Sequence, residues 1–155
     1  MWKPLAVIVG LSAGGGPVGL AAAPPAGGPS ALEQRECAYF ARSYERLAGL
    51  RDAGATRAHA VTSETRYLER DGRTGSHLPA RSFRASVERF AEQVYRLDTL
   101  SPLQLRAYGM AQCLLAKTVT DEAQWIQQVE ALDARALSCE AQPDRFGHCL
   151  AGSAP

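Results

Sequence analysis

Residues 83–104, FRASVERFAEQVYRLDTLSPLQ, decide the fold class. Phe83, Val87, Phe90, Val94 and Leu97 recur every three or four residues, the period that gathers side chains on one face of an α-helix. At Ser101-Pro102-Leu103-Gln104 a new helix is predicted to open. The serine can accept from the backbone N–H three residues on, Pro102 has no N–H to lose in a first turn, and Gln104 can reach back to the serine N–H. Helix, short turn and capped second helix are thus spelled out in one run.

The same logic extends in both directions. Downstream, the fourth helix runs to about Lys117, and Thr120-Asp121-Glu122 opens a fifth with Trp125, Val129, Leu132, Ala136 and Cys139 on one side. From Gln142 the chain is expected to be irregular, with Pro143 enforcing it. Upstream, Ser30-Ala31-Leu32-Glu33 forms a capping box, after which Cys37, Phe40/Ala41, Tyr44 and Leu47/Ala48 make one apolar stripe, stopped at Gly54. A second, less regular helix is predicted from about Thr56 to Arg70, with Ala58, Val61, Thr65 and Leu68 inward. Phe83, Phe90 and Tyr95 are assigned to the core. No strand pattern competes, so the expected fold is an all-α compact bundle of about five helices.

Residues 1–23 have the form of a signal peptide: Lys3 in a short leading segment, an apolar run from Leu5 to Leu11, and Ala21-Ala22-Ala23 as the cleavage region. Gly14-Gly15-Gly16-Pro17 interrupts the apolar run well short of the roughly 20 residues a membrane span needs, so no span is expected once the leader is removed. Residues 24–29 read as a Pro/Gly spacer, 30–150 as a single helical domain and 151–155 as a disordered tail. Loss of Lys3 with the leader leaves 16 basic residues against 16 acidic ones, all beyond residue 30. A neutral domain lacks the basic excess of a nucleic-acid binder. The leader and four cysteines together point to a periplasmic or secreted location.

Cys37, Cys113, Cys139 and Cys149 allow three disulfide pairings. The fourth and fifth helices are joined by a short turn and should form an antiparallel hairpin in which Cys113 faces about residue 126. Cys139 then lies about 20 Å further along, against the roughly 7 Å a disulfide tolerates between Cα atoms, so Cys113–Cys139 is excluded. Of the two pairings left, Cys139–Cys149 closing a local loop and Cys37–Cys113 stapling the first helix to the fourth is favoured. The long staple is worth on the order of 4 kcal/mol.

Chemistry is not legible. There is no C-x-x-C redox pair, no haem attachment sequence and no zinc spacing, since Cys139 and His148-Cys149 lack a fourth ligand. His59, His77 and His148 are scattered, and Ser76-His77 are sequence neighbours outside any nucleophile elbow. No cofactor or metal is expected, and the chain is read as non-catalytic. Arg66, Arg70, Arg73, Arg81 and Arg84 cluster around the loop that starts at Asp71, but Glu64, Glu69, Asp71 and Glu88 balance them as a solvated face.

The order of landmarks adds one more inference. A leader, a helix with Cys37, the stop Arg51-Asp52-Ala53-Gly54, a helix ending in Val94-Tyr95, then Leu100-Ser101-Pro102 and a helix with Cys113 resembles small periplasmic helical proteins of Gram-negative bacteria. Among them are the type VI secretion amidase-immunity proteins. The resemblance spans about Glu33 to Cys113; the fifth helix with Cys139 and Cys149 departs from it. It implies a protein-binding module that plugs the active site of a secreted peptidoglycan amidase, and it carries over no toxin-contacting residue. An envelope accessory or structural protein is the alternative. For an immunity role the partner surface is expected on the exposed loop from Asp71 to Pro79, with Arg73 and His77 supplying polar contacts and Arg70 and Arg81 beside them.

Overall fold

Ser30 and Ser101 open the two helices that frame the molecule, and each does so through the reciprocal bonds of a capping box. The Glu33 backbone N–H donates to the Ser30 hydroxyl and the Ser30 N–H to the Glu33 carboxylate; Gln104 and Ser101 repeat the exchange. The computed structural model describes residues 29–71 and 80–152, with side chains in the second segment from residue 84 onward. The signal-peptide and spacer expectations fall almost wholly outside the described residues, as do residues 153–155.

Among the described residues six α-helices follow in order: α1 (Ala31–Asp52), α2 (Arg57–Arg70), α3 (Ala80–Arg96), α4 (Pro102–Thr118), α5 (Glu122–Cys139) and the short α6 (Phe146–Leu150), with a 3-10 turn at Pro143–Arg145. Among the described residues there is no strand. The fold is all-α, as the periodicity predicts.

Helix α1 is the axis. Its largest interface is with α4, against which it runs antiparallel: Cys37 bonds to Cys113, Glu36 pairs with Lys117 at 2.7 Å, and Glu45 with Arg106 at 3.3 Å. Helices α2 and α3 pack on its other sides and on each other. Tyr44, Leu47, Val87, Ala91, Val94, Leu105 and Tyr108 fill the space between, all buried. Helix α5 returns along α4 and contributes Leu132, Ala136 and Cys139 to the core, and Cys139 bonds to Cys149. Both disulfides are those of the favoured pairing, one of the two that helix geometry leaves open, and disulfides belong to oxidising, non-cytoplasmic surroundings.

The tail differs from expectation. Instead of continuing irregularly past Gln142, it turns through Pro143–Arg145 into α6, which buries Phe146 and Leu150. Pro143 sits in the first turn, where proline costs no hydrogen bond, so it starts a turn as readily as it stops one. Arg135 donates to the Leu150 carbonyl at 3.0 Å and holds the end.

In α2 the buried face is Ala60, Val61, Glu64 and Leu68; Ala58 is exposed. Glu64, expected to balance solvated arginines, is only 1% exposed. Arg46 of α1 explains this by donating twice to its carboxylate, from Nε at 2.8 Å and Nη2 at 2.5 Å, while its guanidinium lies 4.2 Å from the Tyr67 ring centre. Burial pulls the Arg46 pKa down, and the hydrogen bonds and charge of Glu64 more than reverse that, so the net shift is upward.

The stop Arg51-Asp52-Ala53-Gly54 also has a long-range purpose. Gly54 takes φ +82°, where only glycine is unstrained, and Arg51 reaches across to the α3–α4 turn. Its guanidinium donates to the carbonyls of Val94 (2.9 Å), Leu97 (3.1 Å) and Leu100 (2.7 Å). Tyr95 closes the same junction by donating to the Ala55 carbonyl at 2.5 Å.

Candidate functional site

Where α5 leaves α4, the core opens into a groove of about 430 Å³ between α1, α3, α4 and α5. Its walls come from the regular stripes of four helices: Phe40 and Tyr44 from α1, Phe90 from α3, Trp125 and Val129 from α5, with Gly109 and Ala116 of α4 at the back. Phe40, Phe90, Trp125 and Val129 sit on core-facing stripes yet are only half-buried, because the first half of α5 has no buried residue and stands off from its neighbours. The aromatic rings touch edge to face or tilted: Phe40 to Phe90 at 5.9 Å, Phe90 to Tyr44 at 5.0 Å, Tyr44 to Tyr108 at 5.8 Å between centres.

The groove has a polar end. The Tyr44 hydroxyl lies between the carboxamides of Gln93 and Gln112 and hydrogen-bonds to both. With one proton to give, it can donate to only one of these two carboxamide oxygens at a time. Behind it, Tyr108 donates to Asp133, which also holds Arg96, so this chain of polar groups ties α1, α3, α4 and α5 together. Burial pushes both phenols well above the ordinary tyrosine value; the charge of Asp133 adds to this at Tyr44, and Arg89 opposes it there. Tyr44 and Tyr108 therefore stay protonated and serve as hydrogen-bond donors, not as bases.

Gly109 makes the arrangement possible. A Cβ at that position would lie 2.5 Å from Tyr44 Cδ2 and 2.8 Å from Cγ, so only glycine lets the ring lie flat on α4. Arg89, exposed at the rim, is the one charged residue among the described lining.

None of the residues expected from sequence to meet a partner is among the described lining of this groove. Residues 72–79, with Arg73 and His77, lie outside the described residues, as does the Arg81 side chain. Arg70 is exposed near the end of α2, its Nε donating to the Arg66 carbonyl at 3.3 Å; with Arg66, His59 and Glu69 it borders a shallow depression on α2. Arg84 pairs with Glu88 one turn on, at 3.0 Å. Of the described arginines of the cluster, Arg66 and Arg70 border one depression on α2, and Arg84 lines a neighbouring one between α2 and α3. Among the described residues, no group of His, Cys, Asp and Glu could hold a metal ion, and no helix is long and apolar enough to cross a membrane.

Comparison with known proteins adds no relative: no family model, no curated protein and no solved structure matches the chain.

Proposed function

We propose that this chain is a non-catalytic protein-binding module of the cell envelope, and that its specific role is immunity to a peptidoglycan-cleaving amidase. The observation that carries the binding role is the groove, a concave apolar surface that brings Trp125, Tyr44 and Arg89 together on a disulfide-stapled frame. Tryptophan, tyrosine and arginine are the side chains that most often dominate protein–protein binding energy. The two disulfides and the leader-like N-terminus support work in an oxidising compartment such as the periplasm. The order of landmarks from Glu33 to Cys113 supports the narrower role.

The test uses the oxidised full chain and any small amidase encoded beside it. Saturable binding by calorimetry, with stoichiometric loss of peptidoglycan cleavage, is the expected outcome. Absence of binding to every co-encoded amidase removes the immunity role and leaves the accessory one.

A further inference from the structure

Pinned and unpinned walls meet in the groove, and their chemistry is one-sided. Phe40, Phe90, Trp125 and Val129 supply apolar and aromatic surface, while the polar groups are the neutral amides and hydroxyls around Tyr44 and the cation Arg89. No carboxylate lines it among the described residues. Of the acids nearest Arg89 in sequence, Glu88 is paired with Arg84, and both Glu88 and Glu92 line, with Arg89 itself, a depression between α2 and α3 without an ion pair to it. Arg89 makes no ion pair with a described residue. A cation that forms no ion pair with a described residue, at the mouth of an apolar groove without a described carboxylate, favours an anion beside an apolar group.

A space of about 430 Å³ lies at the small end of ligand-site volumes and suits one or two side chains better than a folded element. We infer that the groove receives a segment of the protein partner presenting an aromatic or large aliphatic side chain next to a carboxylate, the ring entering between Phe90 and Trp125 and the carboxylate meeting Arg89. The inference rests on the protein-binding role and names the surface and the chemistry that role uses. It moves the expected contact from the loop after Asp71 to the opening of α5.

The chain carries its own probe. Its two tryptophans are Trp2 and Trp125, so a full-length Trp2→Phe variant has Trp125 as sole tryptophan, in the groove wall. The ligands are acetyl-Gly-Phe-Asp-Gly-amide, its Asn-for-Asp counterpart and its Ser-for-Phe counterpart, titrated against Trp125 emission. A saturable change with the Phe-Asp peptide is expected. The Asn peptide, or Arg89→Gln with the Phe-Asp peptide, should bind about three- to fivefold more weakly, the upper end for an exposed ion pair, and the Ser peptide should not bind. No saturable change up to the solubility limit overturns the site; equal affinity for the Asp and Asn peptides overturns its charge preference.

Amidase binding is then measured with Trp125→Ala and Arg89→Gln, each checked by thermal melting for an intact fold. If the parent binds an amidase and both variants bind as well, the groove is wrong and the function stands. If the parent binds none, the immunity role fails and the peptide titration alone decides the groove.

Discussion

Replacing Gly109 by alanine sets two effects of opposite sign against each other. Alanine is favoured over glycine inside a helix by about 1 kcal/mol, and Gly109 lies in the middle of α4. Against this, the new Cβ would meet three Tyr44 atoms at 2.5, 2.8 and 3.2 Å. Tyr44 cannot retreat, being 1% exposed, in ring contact with Phe90 and Tyr108, and held at its hydroxyl by two carboxamides. Forced overpacking costs about 1–3 kcal/mol, and contacts this short on a fixed ring belong at the upper end. The net expectation is a loss of about 1–2 kcal/mol, or about 4–8 °C in melting temperature for a domain of this size. The control is Gly49→Ala, also inside a helix, where an added Cβ meets nothing within 4 Å and the propensity gain of about 1 kcal/mol should appear undiluted. Circular dichroism melts of both variants should therefore move in opposite directions. If Gly109→Ala is stabilised like Gly49→Ala, Tyr44 is not clamped against α4, and the account of the groove floor is wrong.

Three further outcomes follow from the anchors of the frame. Removing the Cys37–Cys113 bond should cost about 4.5 kcal/mol and the Cys139–Cys149 bond about 2.8 kcal/mol, because they close loops of very different length (sequence separations 76 and 10); urea unfolding of the two paired Cys→Ser variants giving the reverse order would refute it. Arg51→Ala should cost about 2–4 kcal/mol and speed amide exchange at Leu97 and Leu100, since three carbonyls lose a charged donor, and Arg51→Lys should not restore it; full rescue by lysine would show that charge alone matters. Glu33, whose pKa is lowered chiefly by its side-chain bond to Ser30 and then by the Ser30 backbone N–H, stabilises the start of α1 above its ordinary value of 4.5, and that contribution is lost as pH falls through the lower folded value. Protection of the Ser30 amide, its exchange relative to an unstructured amide at the same pH, should accordingly fall only below about pH 4.5, and a fall already near neutrality would exclude the cap as its cause.

What the sequence discloses and what it hides divide along one physical line. Caps act within four residues, so the starts of α1, α4 and α5 are written at Ser30, Ser101 and Asp121 and appear there. Helix rise and turn length, again local quantities, exclude one of the three disulfide pairings, and the one observed is the favoured of the two that remain. Glu64 is invisible in this way, because its burial depends on Arg46, 18 residues away, and nothing near Glu64 signals it. Arg51 reads as part of a helix stop, although its guanidinium serves carbonyls 43 to 49 residues further on. The groove is hidden for a different reason: Phe40, Phe90, Trp125 and Val129 keep core periodicity, and periodicity tells which face a residue is on, not whether a neighbouring helix comes close enough to cover it. The only local hint is Ile126, a large apolar residue 51% exposed beside Trp125 and off the stripe.

The distribution of anchors explains why the opening lies where it does. Four long-range fastenings of the frame start on α1: Cys37 to α4, Arg46 to α2, Tyr44 to α3 and α4, Arg51 to the α3–α4 turn. Helix α5 is fastened only in its second half, through Asp133 to Tyr108 and Arg96, through the Glu140 carbonyl to Gln104, and through Cys139 to α6. Its first half, from Glu122 to Val129, has no comparable tie among the described residues and no buried side chain. One wall of the groove can thus shift without disturbing the bonds that hold the other three. Under the proposed binding role, stability and binding therefore rest on different residues: Tyr44, Gly109 and Cys37 shape the groove, while Trp125, Val129 and Arg89 can vary to suit an occupant at little cost to the fold.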